Sequence, residues 1–280
     1  MVLEKKGEGL AEVYPEPYMN KFRIKEIISN ALRARKDQKK RLRVQLKTPS
    51  YFNRHLGRDF LVLGTGSTLR DDLQKIKQFA RKHDLISIGV NNTYELFSSD
   101  YIGFTNRYRF SQFGPGMPHR GRGALLSVYF TDEQIAQHCL IDHELVMWRD
   151  SSDPKHCALD EHGIITHKGS VGSLMILVSY AMGARKVYLA GMDGPPQEGP
   201  LTSDSLHFRG YPYKTHLAPE QVEKKYKYWF EDVLPITYAT IHAWARDAGR
   251  KEFVSLTPTS YGDYCSPELL EDLKLDRESC

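Results

Sequence analysis

The residues of this 280-residue chain that could do chemistry gather at a few turns rich in glycine and hydroxyls. The sharpest is Gly64-Thr65-Gly66-Ser67-Thr68-Leu69, which directly follows an apolar run and precedes a helical pattern. Glycines at such a turn let the backbone fold tightly and approach a ligand. The helix N-terminus beyond offers free N–H groups and a partial positive charge to a phosphate. Ser67 or Thr68 is placed to cap that helix. An ordinary strand-to-helix turn would use the same residue types, but a position in the first crossover of an alternating strand–helix pattern favours a nucleotide.

The type of nucleotide is narrowed by what the turn lacks. A dinucleotide fingerprint wants a small residue where Leu69 stands and an acidic residue after the second strand. That strand instead runs into Asn91-Asn92, and the third ends Phe104-Thr105-Asn106. Asparagine donates and accepts, which suits a base or ribose edge. There is no GxxxxGK[ST], so a P-loop is excluded, and a mononucleotide or nucleotide-sugar is expected. A second cluster, Lys168-Gly169-Ser170-Val171-Gly172-Ser173, opens a long apolar helix and could hold a phosphate or carboxylate, or simply cap and pack that helix. Asp193 ends a later strand and could orient a ribose or substrate hydroxyl. His207, Tyr211, Tyr213 and His216 follow in a polar stretch. A histidine near neutral pKa suits removal of a proton from an attacking hydroxyl, and tyrosine hydroxyls suit a departing phosphate. No GxSxG, HExxH or kinase signature occurs, and no metal site is expected.

The elements that must position these residues read as an α/β pattern. Strands are predicted at 60–64, 85–90, 101–105, 124–130, 144–148, 186–190 and 253–256. Helices are predicted at 69–83, 92–97, 132–138, 169–183 and 218–248, the last kinked or broken at Pro235. Alternation of this kind predicts a mostly parallel sheet flanked by helices. Residues 107–123 are rich in Gly, Pro and Arg and are expected to be a loop, and 195–217 a long polar loop. Composition is globular, with 40% hydrophobic and 26% charged residues. No run of 18 apolar residues and no apolar signal core occur, so a cytoplasmic protein is expected. The four cysteines, Cys139, Cys157, Cys265 and Cys280, are far apart and read as reduced thiols.

The net charge of +4 is unevenly spread. Residues 20–58 hold 13 Lys/Arg against Glu26 and Asp37, whereas 59–280 are net acidic by five. A basic amphipathic helix is expected over 20–47, with Phe22, Ile24, Ile27, Ile28, Ala31 and Leu32 on one stripe. It could pack on the body, dock on an anionic membrane surface, or make a homo-oligomer contact. A mildly acidic body argues against nucleic acid as a partner. The expected organisation is an extension at 1–58 and a domain at 59–280.

FLVLGTGSTL, ISIGVNN, YIGFTN and KGSVGSLMILVSYAMGARKVYLAGMDG resemble, in order and spacing, the bacterial sialyltransferases of glycosyltransferase family 42. They also resemble the related MptE-like domain of a 6-hydroxymethylpterin diphosphokinase and of motility-associated-factor proteins. The resemblance spans roughly 59–260. It implies a Rossmann-like, GT-A-variant domain with an irregular lid, here 195–217. It also implies a CMP-sugar donor, inversion at the anomeric carbon and no catalytic metal. The family's nucleotide-holding roles fall on Gly64, Thr65, Gly66, Asn91 and Asn106, with Thr65 in place of an asparagine. Its arginine falls on Lys168 and its donor-binding turn on Ser170 and Gly172. Ser67 and Asp193 complete the expected donor site. His207-Phe208-Arg209-Gly210-Tyr211 resembles the start of the family's His-rich stretch, with Tyr211 standing where the base would align, so His207 or His216 is expected as base.

The activity implied is transfer of a sialic-acid-like, nonulosonic or Kdo-type sugar to a surface glycan or glycolipid, at the inner face of the plasma membrane. Two alternatives follow from the same residues. The MptE-like branch, whose His-Phe pair His207-Phe208 matches, would move pyrophosphate from ATP to a pterin alcohol. It would need Mg²⁺, with Asp193 and Asp204 as the nearest carboxylates. A nucleotide-binding protein without turnover is the other.

Overall fold

The computed structural model describes residues 49–118, 121–151, 153, 155–160, 162–167, 170–194 and 227–265. The expected basic helix at 20–47 and the expected lid at 195–217 lie outside the described residues. Seven parallel strands form the main sheet: β1 Asp59–Leu63, β2 Ile86–Val90, β3 Tyr101–Phe104, β4 Gly123–Ser127, β5 His143–Val146, β9 Lys186–Ala190 and β10 Val254–Ser255. Their spatial order is β10-β9-β1-β2-β3-β4-β5, and every neighbouring pair is parallel. Helices on the faces make this an α/β, Rossmann-like arrangement. The central strands are buried along nearly their whole length, which is why they read as unbroken apolar runs.

The chain moves outward from β1 through β2, β3, β4 and β5. It then returns on the other side of β1 as β9. The order therefore reverses between β1 and β9, and the crevice beyond the carboxyl ends of those two strands is where ligands of open α/β sheets bind. The return passes through helix α5, Val171–Ala181, of which all residues but Val171 are buried. It lies against the sheet and against α6, Leu234–Asp247. Leu174, Met175, Leu177 and Val178 join Phe60, Val62, Ile88 and Val187 in the main core.

Residues 49–58 are stitched onto the end of α5. The N–H groups of Asn53, His55 and Gly57 donate to the carbonyls of Ala181, Met182 and Gly183. Carbonyls at a helix C-terminus have no partner within the helix, so this strap completes it. Tyr51 is buried at its start, and His55 Nε2 lies 2.9 Å from the Tyr101 hydroxyl.

Several expectations are corrected by the structure. The helix at 69–83 is two, α1 Ser67–Asp71 and α2 Leu73–Lys82. Gly66, not Ser67 or Thr68, is the N-cap residue, and no side chain caps α1. Residues 107–113 are helical (α3, Arg107–Phe113) rather than loop, because Asn106 caps them and Phe110 stacks on Phe130 with centroids 4.7 Å apart. Helix α4, Asp132–His138, matches its expected bounds, with a capping box from Thr131 and Gln134. The strand expected at 144–148 divides at Met147. Its second part, β6 Trp148–Ser151, joins β7 Cys157–Asp160 and β8 Gly163–His167 in a separate sheet of order β6-β8-β7. The kink expected at Pro235 is a wide π turn at Tyr228–Val233 that runs directly into α6, with Pro235 in the first turn of α6.

Candidate functional site

The crevice at the β1/β9 reversal is closed by contact between two turns far apart in sequence. Thr68 donates from its backbone N–H to Asp193 Oδ2 at 2.9 Å and from its hydroxyl to Oδ1, and Ser67 Oγ reaches Oδ2 at 3.4 Å. The first-turn N–H expected to meet a phosphate thus holds an internal carboxylate. Gly66 makes this possible: a Cβ there would lie 2.3–2.5 Å from the Asp193 carboxyl atoms. Burial pushes the Asp193 carboxyl above its usual range, against the opposing pull of the Thr68 and Ser67 hydrogen bonds. A carboxylate fixed here repels a second anion and accepts hydroxyl donors, so this turn suits a ribose better than a phosphate.

Met192 ties the second glycine cluster to the first. A Cβ on Gly64 would lie 2.7 Å from Met192 Sδ, and one on Gly172 would lie 2.7 Å from Sδ and Cε. Both glycines let three elements converge on that thioether. Ser170 is the N-cap of α5, accepting from Ser173 N–H at 3.1 Å. The Tyr238 hydroxyl sits beside Ser170 and 3.4 Å from Met192 Sδ, and burial raises its pKa. Ser170 and Gly172 therefore cap and pack α5 next to the crevice. Eleven residues of helix stand behind that N-terminus, with its partial positive charge.

Asn91 and Asn106 stand on the next strand ends along the same edge. Asn91 has φ 52°, in the left-handed region that asparagine tolerates. Its side-chain carbonyl oxygen is shut off from water and has no hydrogen-bond partner among the described residues. Asn106 spends its carbonyl oxygen on capping α3, through Tyr108 and Arg109 N–H at 2.8 and 3.2 Å. Its amide nitrogen has no partner among the described residues. Thr65 is partly exposed between the two glycines.

Gly64, Thr65, Gly66, Ser67, Ser170, Gly172 and Asp193 are thus gathered at the reversal point, with Asn91 and Asn106 along the edge from it. Lys168, His207, Tyr211, Tyr213 and His216 lie outside the described residues. The sequence reading missed the segment after β10. Thr257 Oγ1 accepts from Gly191 N–H at 3.0 Å, and Thr259 Oγ1 donates to the Met192 carbonyl at 2.7 Å. Ser260 donates to the Asp193 carbonyl from both N–H and Oγ. Tyr261 is buried, and its hydroxyl is held neutral by that burial and by the nearby Tyr238 and Asp193. The signal was present as Thr257-Pro258-Thr259-Ser260, a hydroxyl-rich run after a strand parallel to all the others. Among the described residues no group of three or more His, Cys, Asp or Glu is placed to share a metal ion. No helix among them is long and apolar enough to cross a membrane.

No family model matches the chain, and no curated protein matches it. Among solved structures, that of the MAf glycosyltransferase from Magnetospirillum magneticum AMB-1 is similar over 60% of this chain, with a TM-score of 0.39 and 14% identity. This chain covers 28% of the length of that protein.

Proposed function

We propose that the chain is a glycosyltransferase that binds a CMP-sugar at the β1/β9 crevice and passes a sialic-acid-like sugar to a hydroxyl of a glycan or glycolipid. The observation that carries this reading is the buried, unpartnered carbonyl oxygen of Asn91 on the strand end next to the reversal turn. A buried acceptor without a donor costs roughly 1–3 kcal/mol, a cost relieved when a small shift of the Asn91 turn brings the oxygen to a ligand amine or hydroxyl. The exocyclic amine of cytosine is such a donor, and Asn106 offers an amide N–H₂ from the adjacent strand end. Asp193 accepts from the ribose hydroxyls. Its charge directs the phosphate to the N-terminus of α5, where Ser170 and Lys168 stand in the sequence.

In this reading the acceptor hydroxyl attacks the anomeric carbon and gives its proton to His207 or His216. The bond to the phosphate oxygen breaks, and CMP leaves with its charge held at the α5 turn and by Tyr211 or Tyr213. The transition state is oxocarbenium-like, so positioning and phosphate stabilisation supply most of the rate. Calorimetric titration with CMP, UMP, GMP and AMP, each with and without Mg²⁺, tests the reading. Metal-independent preference for CMP is expected. Absence of binding, or Mg²⁺-dependent preference for AMP, overturns it.

A further inference from the structure

The nucleotide reading uses one half of the sheet's carboxyl edge, from β9 to the Asn106 turn after β3. The remaining half carries aromatic rings on three successive strand ends. Tyr108 is in the first turn of α3 after β3 and is 54% exposed. Tyr129 follows β4 and Trp148 follows β5, each two residues beyond the strand, and both are partly exposed. Strands β3, β4 and β5 are direct neighbours, so the three strand ends span two strand spacings, roughly 10 Å.

One buried hydroxyl holds the Trp148 ring and the Tyr129 backbone. Ser127, fully buried at the end of β4, accepts from Tyr129 N–H at 3.2 Å and from Trp148 Nε1 at 2.9 Å. The Tyr129 and Trp148 rings meet edge to face, with centroids 5.0 Å apart and planes at 79°. Trp148 is oriented by its bond to Ser127, and Tyr129 packs edge-on against it, so less side-chain freedom is lost on binding. The hydroxyls of Tyr108 and Tyr129 have no partner among the described residues. A rigid aromatic surface with free hydroxyls suits a ligand with one apolar face and a polar rim.

We infer that Tyr108, Tyr129 and Trp148 form the platform that receives the acceptor saccharide. This rests on the glycosyl-transfer reading above, because it places an acceptor beside the donor crevice on one sheet edge. The C–H face of a pyranose ring stacks on an electron-rich aromatic ring, and its equatorial hydroxyls reach the tyrosine hydroxyls. The row extends over three strand ends and so suits a disaccharide rather than a single ring. A strand of nucleic acid would also stack on such rings. The net charge of −5 over 59–280 disfavours a long polyanion and leaves a glycan as the occupant.

The test is saturation-transfer NMR on the full chain with lactose and with chitobiose, and calorimetry with CMP on the same samples. Both Trp148→Leu and Tyr129→Leu are expected to weaken the saccharide response by about tenfold. Trp148→Phe, which keeps a ring, is expected to retain most of it. Tyr108→Ala, at a ring that is 54% exposed, is expected to weaken it severalfold. CMP binding is expected to be unchanged in all four. No saccharide response in the wild-type chain, or one that persists in both leucine variants and in Tyr108→Ala, overturns the platform. Absence of CMP binding would instead overturn the donor reading, and the saccharide titration would still stand or fall by itself.

Discussion

Asn91 carries two local costs together: a left-handed backbone with φ 52° and a buried carbonyl oxygen without a partner among the described residues. Glycine at this position accepts the backbone freely and removes the orphan oxygen. Asn91→Gly is therefore expected to keep or raise the melting temperature while weakening CMP binding by about tenfold or more, one lost hydrogen bond to a buried group being worth about that much. A calorimetric and thermal-melt comparison checks it, and a variant that is destabilised but binds normally would assign Asn91 a purely structural role. Gly66 predicts the opposite signature. A methyl group there overlaps the Asp193 carboxyl, so Gly66→Ala is expected to cost about 1–3 kcal/mol and to displace the carboxylate from Thr68. Denaturant melts of Gly66→Ala beside Gly66→Ala/Asp193→Ala read this directly. Removing the carboxylate should restore part of the loss, since the two side chains compete for one space.

Among elements, the strap at 49–58 has a pH-sensitive hold on the body. His55 is buried against Tyr101, and burial together with the cations of Arg122, Arg54 and Arg58 lowers its pKa, with Asp100 opposing. The folded state binds this proton less readily than the unfolded chain, whose imidazole titrates near 6.5. The His55 contribution is thus flat above about pH 6.5 and turns unfavourable as pH falls below it. The melting temperature is expected to drop between pH 7.5 and 5.5, with a smaller drop in His55→Gln, which keeps a neutral partner for Tyr101. An identical pH slope in both proteins would place the acid sensitivity elsewhere. The same scale shows what could be read from sequence. The largely apolar runs at 60–64 and 187–190, and the helix of which Leu174 to Ala181 are all buried, announce themselves because both faces are covered. The helix at 107–113 was hidden by the Gly and Pro that follow it and by Asn106, which serves its cap. Strands β6 and β7 are four residues long without a buried position, and β8, though mostly buried, has only five residues, so all three carry too little pattern to register. The Asp193–Thr68 contact joins residues 125 positions apart, and no local spacing encodes it.

For the whole molecule, charge and topology divide the labour. The 59–280 portion is net −5, whereas 20–58 is net +11 and includes the strap, which meets α5 at the end opposite to Ser170. The strap therefore joins the sheet at the edge away from the candidate crevice. The expected basic segment precedes that strap in sequence, and an anionic surface is its expected partner. Each Lys or Arg near an anionic leaflet contributes about 1 kcal/mol, falling off within a Debye length of about 8 Å at physiological salt. The full chain is expected to sediment with vesicles containing 30% anionic lipid, a composition of about three lipids in ten, and to be released by roughly 0.5 M salt as that length contracts. Deleting residues 1–48, which leaves the strap in place, is expected to abolish sedimentation with CMP binding unchanged. Sedimentation that survives the deletion would move the contact to the body. Binding that is insensitive to salt would make it apolar, through the stripe of Phe22, Ile24, Ile27 and Ile28 instead of the lysines and arginines around it.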